Sequence, residues 1–325
     1  MRRNKINLSD TDIVNDPRSA ANAGVPAGFA GSLAADRFIS NVGRNSGRSL
    51  STVLGVFLIL GVCQAVRADT MYQTTAKNLS GLVAYYTFDG VTSSSSALTD
   101  DSSSGNDGTF TAGTVGVSSN TPGTGSNQSL ALSSGNAYVT GISQTGFPTS
   151  NADRSIVLWM KTTETDPFWE SVFEAGSTGA MGAACHVGLS FDTKGVFAGQ
   201  WGGALNGPNV SDNKWHMITV TVAAQGEGTA LWSLYTDNNT TPATSVLATN
   251  TVLGNNGNGS QIGIGTSNFI GGVDELAYYN RVLGANEIQS LYAAMDVTVP
   301  EPSTITLMTC GLIGLLCYAW KKRRS

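Results

Sequence analysis

Val273-Asp274-Glu275-Leu276-Ala277-Tyr278-Tyr279 is the stretch whose reading decides the fold. It is rich in β-branched and aromatic residues, it follows Gly271-Gly272, and it ends at Asn280. That composition between turn residues reads as a strand. Similar runs lie outward on the N-terminal side: LVAYYTF at 82–88, SLAL at 129–132, AYV at 137–139, SIVLWM at 155–160 and WESVF at 169–173. HVGLSF at 186–191, GVFAG at 195–199, WHMITVTV at 215–222, TALWSLY at 229–235 and QIGIG at 261–265 complete the series. Gly, Asp or Asn punctuates nearly every gap. The rhythm predicts an all-β, two-sheet antiparallel sandwich rather than alternating β and α elements. Along the first run, Leu82, Ala84, Tyr86 and Phe88 are expected to share one face. One short helix is expected over 284–293, with Ile288, Leu291 and Tyr292 on one side. There the Glu287 carboxylate can reach back to the N–H of Gly284, half of a capping box.

Either side of this polar middle lies a greasy run. The chain has 325 residues and a formal charge of −5. Residues 1–68 carry eight Lys/Arg against four Asp/Glu, a net of +4, whereas residues 69–299 carry six against eighteen, a net of −12. An acidic domain repels phosphate backbones, which argues against nucleic acid as a partner. VLGVFLILGV at 53–62 follows Arg44 and Arg48, is too short to span a bilayer, and fits the apolar part of a signal peptide. Val66 and Ala68 suit cleavage before Asp69, so residues 1–68 are expected to be a leader. The stretch 1–48 is either a long n-region or lies upstream of the true start. Residues 69–299 form the second expected unit, domain plus linker, large enough to bury a core without disulfides. Cys185 is its only cysteine, beside Cys63 in the leader and Cys310 and Cys317 in the tail, and is expected to be a buried small hydrophobe.

The third unit is 300–325. Pro300-Glu301-Pro302 is followed by an uncharged apolar run over 304–320 and then Lys321-Lys322-Arg323-Arg324. This three-part order resembles a PEP-CTERM sorting signal. The resemblance implies an exosortase-type enzyme as partner, transient anchoring in the inner membrane through the 304–320 helix, and delivery to the cell envelope, outer surface or extracellular matrix. The charges agree, since a basic cluster after an apolar run is held on the cytoplasmic side.

Four further pieces occur in order: Gly81 to Asp89; Asp101-Ser102-Ser103-Ser104-Gly105-Asn106-Asp107-Gly108-Thr109; Ser155 to Met160 followed by Asn213-Lys214-Trp215-His216; and Gly272 to Leu283 with Glu287-Ile288 and Leu291-Tyr292. Together they resemble the LamG-like jelly-roll domain of the concanavalin A-like lectin/glucanase superfamily. The resemblance implies a non-catalytic surface module that binds glycan, exopolysaccharide or another envelope component. A structural matrix protein without a small ligand and a glycoside hydrolase are the alternatives. Relatives that hold a structural calcium between the early loop and the late Asp-bearing strand would place it here on Asp100, Asn106, Asp107 and Asp274, because calcium takes about six to eight oxygens.

Catalysis finds little support in the residues. Glycosidases need two carboxylates facing one bond. Glu170 and Glu174 have the even spacing to share a face, but Asp274 and Glu275 are adjacent and point apart in a strand. His186 and His216 are the only histidines. Cys185 and His186 are likewise adjacent and point apart. For sugar binding the candidates are Trp201, Trp169 and Trp232, with Trp201 foremost because it lies in the loop Gly199-Gln200-Trp201-Gly202-Gly203.

Overall fold

The computed structural model describes residues 69–296, apart from 112, 124–127, 134–135, 166, 177–179, 252, 254–261 and 267, together with 302–323. The leader, its apolar run 53–62 and its cleavage residues lie outside the described residues, as do Pro300 and Glu301 of the sorting tripeptide.

Two antiparallel sheets make the sandwich. The first contains β1 (Leu82–Tyr86), β4 (Val117–Ser118), β5 (Ser129–Leu132), β7 (Arg154–Lys161), β12 (His216–Gly226), β13 (Thr229–Thr236), β14 (Ala243–Ala248) and β16 (Gly271–Tyr279). Its order is β14-β13-β12-β7-β16-β5-β4, with β1 also paired to β16. The second contains β2 (Ala97–Leu98), β3 (Gly108–Phe110), β6 (Val139–Thr140), β8 (Glu170–Gly176), β9 (Ala184–Leu189), β10 (Val196–Gln200), β11 (Gly203–Asn206) and β15 (Gly263–Ile264). Its order is β11-β10-β9-β8-β15-β6-β3-β2. Consecutive strands that lie far apart in the order mark the crossings of a jelly roll, as expected from the sequence.

The inter-sheet core interleaves Ile156, Leu158, Ile218, Val220 and Trp232 of the first sheet with Phe173, Val187, Leu189, Val196 and Ile264 of the second. The first sheet is also covered on its other face. Helix α1 (Met71–Asn78) and helix α2 (Ala285–Ala294) lie there over a second apolar layer that includes Tyr72, Ala76, Tyr85, Val157, Trp159, Met217, Ile288 and Leu291. This double cover explains why β7 reads as an unbroken apolar run: Ile156, Leu158 and Met160 face the other sheet, while Val157 and Trp159 face the helices. Trp159 is the hub of that layer, stacked on Tyr292 at 5.6 Å and edge-on to Tyr72 at 6.3 Å. Such ring pairs add about 0.5–1.5 kcal/mol each beyond the area they bury.

Helix α2 starts one residue after the expected boundary. The Gly284 N–H donates to Glu287 Oε2 at 2.8 Å, and Gly284 offers no oxygen in return, so the box is half built as expected. Glu287 also receives both Arg281 guanidinium arms, at 2.7 and 2.8 Å. Helix α1 is an addition to the sequence reading. Its capping box is complete: the Gln73 N–H donates to Thr70 Oγ1 and the Thr70 N–H to Gln73 Oε1, both at 3.1 Å.

One facing needs correction. Register shifts between Leu82 and Ala84 against β16, so Leu82 leaves the expected row and joins the helix side, while Ala84, Tyr86 and Phe88 face the inter-sheet core. A bulge inserts one residue and moves its neighbours to the opposite face. In the tail, helix α3 spans Pro302–Lys322, 21 residues, two longer at each end than the expected apolar run. Pro302 opens it, where a missing N–H is harmless. Leu312, Ile313, Leu315, Leu316 and Trp320 on it are exposed. Among the described residues no helix is long and apolar enough to cross a membrane.

Candidate functional site

The loop from Asp100 to Asp107 gathers three of the four residues considered for calcium. Asp100 accepts four hydrogen bonds: Oδ1 from the N–H of Tyr85 at 2.8 Å and of Ser102 at 2.9 Å, Oδ2 from the Ser102 hydroxyl at 2.8 Å and the Asn106 N–H at 2.9 Å. These occupy every lone-pair site that a carboxylate has. Asp107 Oδ1 accepts the Asp100 N–H at 2.8 Å. The fully buried Asn106 amide donates to the carbonyls of Val83 and Thr145 at 2.8 and 2.9 Å and accepts the Thr145 N–H at 3.0 Å. Asp274 is fully buried in β16 opposite Trp159, with Oδ1 accepting the Glu275 N–H. The bonds of Asp100, Asn106 and Asp107 thus close the loop on its own N–H groups, on that of Tyr85 and on the carbonyls of Val83 and Thr145. Among the described residues no group of three His, Cys, Asp or Glu could hold a metal.

The open surface of interest is the outer face of the second sheet. Strand partners share a face, so the register sets Ser171, Gly188, Phe197 and Asn206 in one row and Glu174, His186, Gly199 and Ala204 in the next. Glycines and alanine keep the floor low. Trp169 rises at one end in the left-handed region, φ 51°, with its ring edge-on to Phe197 at 5.3 Å. It is 39 % exposed and largely covers Phe197. Beside it, the 74 % exposed Phe168 meets Phe191 edge-on at 5.4 Å. Trp201 stands at the other end of β10, 49 % exposed in the turn to β11, with Met181 lying against Gly202. Trp232 is corrected: it is fully buried, its indole N–H donates to Thr249 Oγ1 at 3.0 Å, and no face of the ring is open to a ligand.

The polar row does not make a hydrolase. Ser171 Oγ lies 2.9 Å from His186 Nδ1, and Glu174 approaches that same nitrogen at 3.9 Å. A triad needs nucleophile and carboxylate on opposite ring nitrogens. Burial lowers the His186 pKa, against the pull of Glu174. Cys185 faces the core on the other side of the strand, and burial pushes its thiol up to about 11. The even spacing of Glu170 and Glu174 also misleads. Register slips between Ser171 and Phe173, so Glu170 pairs with the core-facing Leu189 and Glu174 with the outward His186. The other histidine opens β12: His216 Nδ1 contacts Asp237 at 2.9 Å and Nε2 contacts Asp212 at 3.0 Å, which raises its pKa.

One buried group escaped the sequence reading. Glu275 adopts φ 50° at a second bulge in β16 and is fully buried. The Tyr85 hydroxyl bonds to its Oε2, and Gln73 Nε2 donates to its Oε1 at 3.1 Å and to Asp89 at 2.9 Å. Burial pushes its pKa up to about 8, with Asp89 and Asp101 pushing the same way against its two hydrogen bonds. A cavity of about 370 Å³ nearby is lined by Asp69, Gln73, Lys77, Asp89 and Asp101, among others. Adjacent carboxylates inside an apolar run were its only trace in the sequence.

A two-sheet antiparallel sandwich with crossing connections, helices on one face and a sorting tail defines an exported jelly-roll module. Residues 125–289 match the concanavalin A-like lectin/glucanases superfamily, and the chain belongs to that superfamily. Residues 298–324 match the PEP-CTERM protein-sorting motif. No curated protein matches the chain. Among solved structures, domain 4 of the extracellular arabinanase AbnA from Geobacillus stearothermophilus is 17% identical, with 65% of this chain and 98% of that one covered and a TM-score of 0.45. The sialidase of Trypanosoma rangeli is 15% identical over 66% of this chain at a TM-score of 0.45, and the chain spans only 33% of its length. The binding domain of botulinum neurotoxin DC is 13% identical, with 67% and 52% covered and a TM-score of 0.47.

Proposed function

We propose that the chain is a non-catalytic glycan-binding module displayed at the cell envelope or in the extracellular matrix, with exopolysaccharide or a surface glycan as its ligand. The observation that supports this best is Trp169, held half-exposed on Phe197 beside the Ser171–His186 pair. An open aromatic face next to a few fixed polar groups is what a sugar-binding site requires. Trp201 supplies a second ring past the other end of β10, beyond a floor kept low by Gly188, Gly199 and Ala204. The PEP-CTERM tail marks the chain for an exosortase-type system and for export. In this reading α3 holds the chain in the inner membrane until processing, and the envelope receives the sandwich.

The test is a polysaccharide pull-down and glycan array with the chain processed at Asp69 and at the sorting motif. Binding that drops about tenfold or more in Trp169→Ala or Trp201→Ala supports the reading. An intact protein that binds no glycan favours a matrix role without a small ligand. Replacing Pro300-Glu301-Pro302 by alanines is expected to leave the chain in the membrane fraction.

A further inference from the structure

The first sheet ends on one side at β14, which pairs with β13 and, among the described residues, with no other strand. The register fixes which of its backbone groups stay open. Just past the pair Thr229–Ala248, the Thr249 N–H donates to the Gly228 carbonyl at 2.7 Å. Hydrogen-bonded partners in an antiparallel ladder recur at every second residue. Ala243, Ser245 and Leu247 therefore turn their N–H and C=O groups to β13, whereas those of Thr244, Val246 and Ala248 point out of the sheet edge. The side chains of the same three residues are exposed, that of Val246 at 59 %. Such an edge is a template for another strand unless it is short, bulged, or guarded by charge or proline. Edge strands β2 and β4 have two residues each, and β11 has four. β14 has six, keeps an unbroken register with β13, and contains neither a charged residue nor a proline. No charged residue occurs from Asn238 to Val273, within a domain whose net charge of −12 pushes copies apart elsewhere.

We infer that the chain forms a two-fold dimer through β14, which pairs antiparallel with the β14 of a second copy. A strand with open groups on alternate residues complements itself when the axis passes through the middle one. Here that residue is Val246. It stands opposite its own copy, Thr244 stands opposite the second copy's Ala248, and each such pair exchanges two hydrogen bonds. Pro242, just ahead of the strand, stops the pairing at that end. The contact is the same patch on both copies, so it closes at two and leaves no β14 edge for a third. A two-fold normal to the sheet reverses the strand but keeps each face on its own side. Both helix layers then lie on one side of the joined sheet, and both Trp169 rows lie on the other. The pairing itself does not depend on glycan binding; where glycan binds, two sites face one polymer and gain avidity.

The experiment is sedimentation of the full chain in mild detergent over a range of concentrations. A dimer is expected, with a share that grows with concentration. Val246→Lys sets two ammonium groups face to face on the axis and should weaken dimerisation at least about tenfold. Val246→Pro removes only an N–H that points away from β13, so it should keep the wild-type circular-dichroism spectrum and release monomers too. Val117→Lys on β4, at the opposite edge of the same sheet, should leave the dimer intact. Register is read with a short thiol crosslinker in a Cys63→Ser, Cys310→Ser, Cys317→Ser background. Val246→Cys should join to its own copy. Thr244→Cys alone should not, because its two copies lie four residues apart, about 13 Å, whereas a mixture of Thr244→Cys and Ala248→Cys chains should. A chain that stays monomeric at every concentration overturns the inference, as does open-ended assembly. Association that survives both Val246→Lys and Val246→Pro belongs to another surface, such as α3, and overturns it as well. So does crosslinking of Thr244→Cys alone as readily as Val246→Cys.

Discussion

Raising the pH should loosen the sandwich through one residue, Glu275. The folded chain holds its carboxyl protonated up to about 8, against an ordinary value of 4.5. In the unfolded chain the proton leaves near the ordinary value. Between the two, the native state binds more protons, so stability falls as pH rises. It is full below the ordinary carboxylate range and has lost this contribution once pH passes the folded value. Each pH unit in the window corresponds to about 1.4 kcal/mol, so the whole window amounts to roughly 5 kcal/mol. For a domain of this size that is a fall in Tm of about 10 °C or more. Tyr85, Gln73, Asp89 and Asp101 surround the group, and none of them supplies a positive charge to favour ionisation. The assay is thermal unfolding by circular dichroism from about pH 5 to about pH 9, for wild type and Glu275→Gln. The amide keeps the bonds to Tyr85 and Gln73 but cannot titrate, so its Tm should vary less and exceed wild type at the alkaline end. His216, whose pKa is raised by Asp237 and Asp212, adds a slope of the same sign, but it is present in both proteins. Parallel pH profiles for the two proteins would refute the reasoning.

Other outcomes follow from the same geometry. Trp232→Ala empties a fully buried site and should cost about 3–5 kcal/mol in denaturant unfolding, whereas Trp201→Ala should leave stability within about 0.5 kcal/mol. Asp100→Ala strands the buried N–H groups of Tyr85 and Asn106 and should cost about 2–4 kcal/mol, while a chelator should leave the wild-type Tm unchanged; a fall of several degrees on chelation would overturn the account of that loop. Asp237→Asn removes the main partner of His216 and should lower its titration midpoint, read by NMR of the ring protons.

The sandwich was legible because its strands are greasy where they are buried. β7, β12 and β16 announce themselves, since both faces of the first sheet are covered. β14 escaped because it is an edge strand, exposed on alternate residues, with Thr and Ser among its six. Helix α1 escaped because MYQTTAKN is mostly polar, although Thr70 and Gln73 stand at capping-box spacing. The bulges left no mark at all. They follow from how backbones meet across the sheet, and each one flipped a facing: Leu82 in β1, Glu170 against Glu174 in β8. The exposure of Trp201 was legible from its glycine-flanked turn. The fate of Trp232 was not, because a central strand aromatic points inward or outward according to register alone. The contact of Phe168 with Phe191 needed two separate segments brought side by side.

Helices α1 and α2 sit on the same face of the first sheet, and the Tyr279 hydroxyl at the end of β16 donates to the Ala76 carbonyl of α1 at 3.1 Å. One helix comes first among the described elements, and the other closes the sandwich ahead of the tail helix. A leash fastened to either end therefore pulls on a single side of the molecule. The opposite side, with Trp169 on it, is left looking outward, like a dish mounted by its back.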